Sequence, residues 1–273
     1  MLASDLVAAL NLTQAMDWSH RLSDWEFHFR LGHGWVVCDA SNVVVGTAMW
    51  WAYADRIGTV GLVVVEASQQ GRGIGRRLMD TILGDAGSRA LRLVATPAGL
   101  ALYQRCGFKE YGGIEQRQGT PVHTLRAPAP EASLRAMARS DLDAVVALDA
   151  TAFGAGRALV LEQVLEAGSG VLAERSGCLV GFALIRPSGR GLVLGPVVAD
   201  DETLAIALMA HHLKNRVGHF VRVDVPANAA KISAWLEVNG LVSVDHGTTM
   251  VRGERPECPS DTRTFALVSQ ALH

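Results

Sequence analysis

The residues best able to do chemistry form one string, QQGRGIGRRLM, Gln69 to Met79. Glycines at 71, 73 and 75 let the backbone turn tightly and approach a ligand with no Cβ in the way. The string lies between an apolar strand, TVGLVVV (Thr59 to Val65), and a repeat of Ile74, Leu78 and Ile82 with Met79 and Leu83 alongside, the spacing of an amphipathic helix. The first turn of such a helix leaves backbone N–H groups unpaired, and its dipole favours negative charge. Arg72, Arg76 and Arg77 strengthen that field, so the expected ligand is a phosphate or pyrophosphate. The spacing excludes two common phosphate loops. GxGxxG fails because Arg76 stands three residues after Gly73, and GxxxxGK followed by Ser or Thr does not occur.

The elements that must position this turn are written twice. SDLVAAL (Ser4 to Leu10) and SDLDAVVAL (Ser140 to Leu148) read as helix starts with Ser at the N-cap. WVVC, DASN and VVVGTAMWW (Val43 to Trp51) read as a hairpin, as do VLAE, RSG and CLVGFALI (Cys178 to Ile185). A third strand follows in each half, TVGLVVV and GLVLGPVV (Gly191 to Val198), then a helix, which in the second half (Leu204 to Leu213) is apolar on most sides. LRLVA (Leu91 to Ala95) and FVRVDV (Phe220 to Val225) are further strands, each leading to a short helix closed by Gly107-Phe108 or Gly240-Leu241. The offset is about 130 to 136 residues, so the chain reads as a duplication. The expected fold class is α/β: tandem domains, each a mixed, mostly antiparallel sheet flanked by helices. RAPAPEAS, Arg126 to Ser133, reads as the linker, dividing a domain at 1–127 from one at 134–252 and a tail at 253–273.

Composition excludes several function classes. Of 273 residues, 49% are apolar and 19% charged, which supports packed interiors and excludes disorder. The longest run free of charged and strongly polar side chains, Val43 to Ala54, is short of the roughly 20 residues that span a bilayer, so no membrane association is expected. The formal net charge is -2, and neither half is strongly basic, which argues against nucleic acid. Cys38, Cys106, Cys178 and Cys258 form no CxxC pair and suit a reducing, cytoplasmic setting. The scattered histidines indicate no metal site.

Gln70-Gly71-Arg72-Gly73-Ile74-Gly75 resembles the Q/R-x-x-G-x-G/A signature of the GNAT superfamily of acyl-CoA-dependent N-acetyltransferases, and ATPAGLALYQRCGF (Ala95 to Phe108) resembles its second motif. The second half resembles the C-terminal GNAT-like domain of two-domain bacterial acetyltransferases. The resemblance implies a strand splayed from its neighbour, with the backbone of Val63, Val64 and Val65 bonding the pantetheine arm of acetyl-CoA. It implies a pyrophosphate on the N–H groups from Gly71 to Arg76, with Gln70 beginning the turn. Tyr103 matches the tyrosine that protonates the departing thiolate, and Val65 is the best choice for the N–H that polarises the thioester carbonyl. Cys106 reads as packing rather than an acyl carrier. For the base the candidates are Glu66, Glu26, Asp24, His20 and His28, or a water relay. For the acceptor pocket they are Trp18, Asp24, Trp25, Trp51 and Tyr53, with Phe27, Trp50 and Asp55 nearby.

The second half departs from the pattern. ADDETLA (Ala199 to Ala205) replaces the glycine turn and Leu236 stands where the tyrosine would be, so this domain is expected to have lost CoA chemistry. The implied activity is acetyl transfer to the primary amine of a small molecule by direct attack in a ternary complex. A CoA-binding sensor without turnover and a peptide or protein N-acetyltransferase are the alternatives. A homodimer is compatible with the sequence.

Overall fold

The structure, a computed structural model, describes residues 1–122, 125–214, 216–254 and 261–273; Cys258 and part of the expected tail lie outside them. The chain forms two compact units that do not follow a linear division at the linker. Unit 1 is Met1–Tyr111, Thr248–Arg255 and Ala271–His273, and unit 2 is Gly112–Gly247 and Pro256–Gln270.

Unit 1 runs α1 (Leu6–Gln14), α2 (Leu22–Leu31), β1 (His33–Cys38), β2 (Val44–Tyr53), β3 (Ile57–Val65), α3 (Ile74–Ala86), β4 (Ala90–Ala95) and α4 (Leu100–Arg105), then enters β5 (Lys109–Gly119). β1, β2 and β3 are antiparallel neighbours, and β4 pairs parallel to β3. Helix α3 buries Leu78, Met79, Ile82 and Ala86 against Ala48 and Trp50 of β2, Val60 of β3 and Leu91 and Leu93 of β4. Each of these large side chains contributes about 1.5–3 kcal/mol by leaving water.

Unit 2 contains the rest of β5, then β6 (Ser133–Ala136), α5 (Leu142–Phe153), α6 (Ala158–Ala167), β7 (Ser169–Arg175), β8 (Cys178–Ser188), β9 (Gly191–Ala199), α7 (Glu202–Leu213), β10 (Val221–Pro226) and α8 (Ala230–Val238). It also holds the start of β11 (Leu241–Arg252) and β12 (Arg263–Ala266). Strands β6 to β9 are successive antiparallel neighbours, and β10 pairs parallel to β9. Helix α7 is buried nearly all round, as its apolar composition anticipated.

Both units therefore have a mixed sheet flanked by helices. Each also recruits a strand that the linear division assigned to the other half. β4 would present an open row of backbone groups, and Thr248 to Arg252 of β11 pairs with it antiparallel. β10 is covered by Ile114 to Gly119 of β5 in the same way. Nothing in the hydrophobic pattern marks these crossings, because β5 (KEYGGIEQRQG) and β11 (LVSVDHGTTMVR) are long strands with much polar sequence.

Equivalent details support the duplication. Gly107 and Gly240 both adopt the left-handed conformation, with φ of 84° and 90°. The expected Ser caps are replaced. Ser4 and Ser140 lie inside short 3-10 turns, and the next residue does the capping: Asp5 accepts the Leu2 N–H at 2.6 Å and Asp141 accepts that of Ala138 at 2.8 Å. A carboxylate reaching back three residues meets an unpaired donor with more charge than a hydroxyl.

Candidate active site

The site is built where β3 leaves β4. Their parallel ladder has three pairs, Ile57–Ala90, Gly58–Leu91 and Thr59–Arg92, and β3 then diverges. Opposite the divergence the β2–β3 register shifts between Thr47 and Met49, and Leu62 takes a left-handed φ of 52°. That conformation is unfavourable for leucine by about 1–2 kcal/mol. Thr47 helps hold it, its hydroxyl donating to the Leu62 carbonyl at 2.9 Å. Val63 and Val65 are half-buried and Val64 buried, so the divergent half carries an apolar surface, and among the described residues its β4 side has no ladder partner beyond Thr59.

The chain then makes the glycine turn. Gly71 and Gly73 have φ of 75° and 80°, and a Cβ on either would meet nothing within 4 Å. The glycines are needed for conformation, and the space in front of them is open. The Gln70 side-chain amide donates to the Val65 carbonyl at 3.1 Å, tying the turn to the strand. The first helical bond of α3 runs from the Arg77 N–H to the Gly73 carbonyl, so the N–H groups of Ile74, Gly75 and Arg76 precede the ladder and face outward. Outward N–H groups at the start of a 13-residue helix are what an anion would need.

The arginines around it differ. Arg72 donates to Gln69 Oε1 at 2.6 Å, and Arg76 is committed to Asp80 at 2.8 Å and to the Arg105 carbonyl at 3.1 Å. The hydrogen bond from Arg76 to Asp80 raises its already high pKa, so it stays charged. Gly75 packs close to Leu102 of α4, a Cβ there lying 3.2 Å from it, which fixes the short helix carrying Tyr103 against the turn.

Tyr103 is 8% exposed and packs on Gly99 and edge-on to Phe108 at 6.1 Å between ring centroids. Its hydroxyl makes no hydrogen bond among the described residues, and burial pushes the phenol above its ordinary pKa of 10.0. It therefore holds its proton throughout the physiological range. Burial also raises the Cys106 thiol, which sits in the same core, in keeping with packing rather than nucleophilic use.

Other expected residues fall elsewhere. Glu66 is half-buried directly after β3, its N–H donating to the Val45 carbonyl, and Glu26 is exposed on α2. Trp18 is half-buried beside His20 at 5.8 Å between rings. Four of the expected pocket residues are interior instead. Trp25 and Trp51 are 0% exposed, with their indole N–H groups on the Thr13 hydroxyl and the His28 carbonyl. Tyr53 is 3% exposed, its hydroxyl donating to the Leu272 carbonyl at 3.3 Å, and Asp24 caps α2 by accepting the Arg21 N–H at 2.9 Å. Strand alternation explains the error: Trp51 and Tyr53 share the β2 face that α1 covers, so aromatic enrichment there builds core.

Two family models, each described as an acetyltransferase (GNAT) domain, match residues 30–110 and 145–266. The chain belongs to the GNAT acetyltransferases. It is 26% identical over 222 residues to the uncharacterized N-acetyltransferase YitH of Bacillus subtilis (strain 168), covering 80% of this chain and 77% of that protein. Among solved structures it resembles a putative acetyltransferase from Pyrococcus horikoshii with a TM-score of 0.79 and 20% identity, over 100% of this chain and 94% of that one. It also resembles a tandem GNAT protein from the clavulanic acid biosynthesis pathway, with a TM-score of 0.59 and 14% identity over 87% and 89% of the two chains. The protein is thus a tandem GNAT acyltransferase, of a family that in general uses acetyl-CoA as co-substrate.

The second GNAT unit repeats the divergence and then fills it. β9 and β10 share two parallel pairs, Leu192–Val221 and Val193–Arg222, before separating. Beyond that point β9 pairs with β8 on one edge, Val198 with Phe182 and Val197 with Ala183. β12 pairs with the same Val197, Val198 and Ala199, so it must lie on the other edge, inside the opening. The next residue, Leu267, donates its N–H to the Asp224 carbonyl of β10 at 3.0 Å, bridging both strands. At the helix start Asp201 accepts the Leu204 N–H at 2.8 Å, Glu202 accepts the Ile232 N–H at 3.0 Å, and Asp200 is paired with Arg175 at 2.7 Å. Sequence reasoning found the missing turn but not the strand. The only signal was the apolar segment TFALV late in the chain.

Proposed function

We propose that unit 1 is the catalytic GNAT domain and transfers an acetyl group from acetyl-CoA to the primary amine of a small molecule, by direct attack in a ternary complex. The observation carrying this reading is the contrast between one divergent strand pair left open above an anion cradle and its equivalent closed by β12. The open cradle fits a pyrophosphate: three outward N–H groups, two left-handed glycines with open space before them, and no carboxylate capping the helix.

When bound, acetyl-CoA supplies an acyl thioester. The backbone of Val63, Val64 and Val65 binds its arm as an added strand, and Gln70, Gly71, Arg72, Gly73, Ile74, Gly75 and Arg76 form the phosphate turn. The Val65 N–H polarises the thioester carbonyl. As the amine nitrogen forms the new C–N bond and the C–S bond breaks, Tyr103 gives its proton to the sulfur. Glu66, with Glu26 as the second choice, accepts the proton that the amine loses. Of the expected pocket residues, Trp18 alone is not interior, and we take it as the remaining candidate for the acceptor pocket. Unit 2, with Leu236 in place of the tyrosine, supports unit 1 and binds no acetyl-CoA.

Thiol release from acetyl-CoA over a panel of amines, amino acids, polyamines and aminoglycosides tests this reading. Release with at least one small amine is expected, with one CoA bound per chain by titration calorimetry. Tight CoA binding without release for any amine or peptide would leave the sensor reading, and two CoA per chain would contradict the role given to unit 2.

A further inference from the structure

The divergence of β3 is braced from an unexpected place. Gly61, the residue before the left-handed Leu62, has no room for a side chain: a Cβ built there would lie 2.6 Å from the Cβ and 2.9 Å from the Cα of Ala271. Ala271 is 8% exposed and Leu272 is 0% exposed, and the Leu272 carbonyl accepts the Tyr53 hydroxyl at 3.3 Å. Tyr53 and Thr59 place their hydroxyls 3.4 Å apart, and Thr59 is the last β3 residue paired to β4. The segment therefore touches the strand at the point where it leaves its neighbour.

A leucine at positive φ is retained only where its surroundings hold it. Thr47 holds Leu62 from one side through its carbonyl. Ala271 presses on the adjacent Gly61, limiting how that peptide can move. In unit 2 the equivalent glycine, Gly195, has the Leu267 carbonyl against its Cβ position. Leu267 and Ala271 are four residues apart in one segment, so a single stretch packs on the corresponding glycine of both units.

We propose that Ala271 and Leu272 are positioning residues for the strand that binds acyl-CoA, setting the divergence of β3 and hence the placement of the Val63 to Val65 backbone. The proposal rests on the reading of that backbone as the acyl-CoA strand.

The test compares Ala271→Leu, which overfills the contact, with Tyr53→Phe, which removes the hydroxyl that bonds the Leu272 carbonyl and lies beside the Thr59 hydroxyl, in the full-length protein. Displacing reactive groups by about 1 Å can cost up to 100-fold in rate, so kcat/KM for acetyl-CoA should fall about 10- to 100-fold in Ala271→Leu. In Tyr53→Phe the KM for acetyl-CoA should rise several-fold at unchanged kcat. Acceptor KM should hold in both, and thermal unfolding shows how much protein is native. Should natively folded Ala271→Leu and Tyr53→Phe both keep the wild-type KM for acetyl-CoA, the proposal is overturned. Gly73→Ala separates this from failure of the parent reading: if Gly73→Ala also binds CoA normally, the phosphate turn itself has been misread.

Discussion

Gly73→Ala isolates the phosphate cradle from the stability of the fold. Gly73 is the N-cap of α3 at φ 80° and ψ 2°, and a Cβ there meets no protein atom within 4 Å. The folding cost is thus the left-handed conformation alone, about 1 kcal/mol, which lowers Tm by a few degrees. The cost to binding is larger, because the methyl enters the space where the pyrophosphate approaches the N–H groups of Ile74, Gly75 and Arg76. Losing one or two hydrogen bonds to a charged group, each about 1.5–3 kcal/mol, gives about 3 kcal/mol, or roughly 100-fold in Kd. Gly87 at the other end of the same helix is the control, with φ 64° and nothing within 4 Å of its Cβ position. Gly87→Ala should destabilise at least as much and leave CoA affinity intact. Titration calorimetry with CoA and thermal unfolding of both variants make the comparison. Equal CoA affinities in Gly73→Ala and the wild type refute the reasoning, as does an equal loss in Gly87→Ala.

Tyr103→Phe should lower kcat by about 100-fold or more while changing Tm little, because the hydroxyl it removes bonds nothing in the described protein. Since burial raises the phenol above 10.0, the unfolded chain would deprotonate first; its effect on stability is a loss confined to pH above 10.0, and no falling limb of activity below that pH should disappear in Tyr103→Phe. His212 is buried on α7, its pKa lowered from 6.5 to about 4 by burial. The unfolded chain binds this proton first as pH falls, so up to about 3 kcal/mol of stability present above pH 6.5 is lost towards pH 4. Urea unfolding of His212→Gln should show a shallower loss over that interval. Asp149 and Arg157, both 0% exposed, form a two-point ion pair at 2.7 and 3.0 Å. Asp149→Ala removes the buried counter-charge of the guanidinium and should cost about 3–5 kcal/mol in chemical denaturation, with the Asp149→Leu/Arg157→Met double variant less affected.

What could be read from residues alone was whatever a short window determines. The 3.6-residue period of Ile74, Leu78 and Ile82, the glycines at 71 and 73, and Gly107 and Gly240 all act within a turn or two, and the structure places them as their local chemistry requires. The interior aromatics were harder, since Trp51 looks the same in sequence whether its face meets a ligand or α1. The pairing of Thr248 to Arg252 with β4 and of β12 with β9 depends on partners more than 60 residues away, and no period encodes a partner. The three acids at 200, 201 and 202 fall between these cases. Their charge argued against a phosphate cradle there, but only the fold shows that two of them cap helices and the third holds Arg175.

The two openings show what such a divergence requires. Separating two parallel strands leaves facing rows of N–H and C=O groups, and such groups are costly to bury unpaired. Unit 2 meets the requirement covalently: β12 supplies hydrogen bonds to Val197 through Ala199 and to Asp224, and carboxylates fill the helix start. An intramolecular strand competes at high effective concentration, so a free ligand with the same hydrogen bonds would be excluded from that opening. Unit 1 has no such strand beyond the Thr59–Arg92 pair among the described residues, and its helix start carries no side-chain cap. Its unpaired groups are left to water until something extended and anionic at one end arrives. The free energy unit 2 draws from folding onto itself is therefore available in unit 1 for binding, which supports the proposal that the chemistry lies in the less completed of the two.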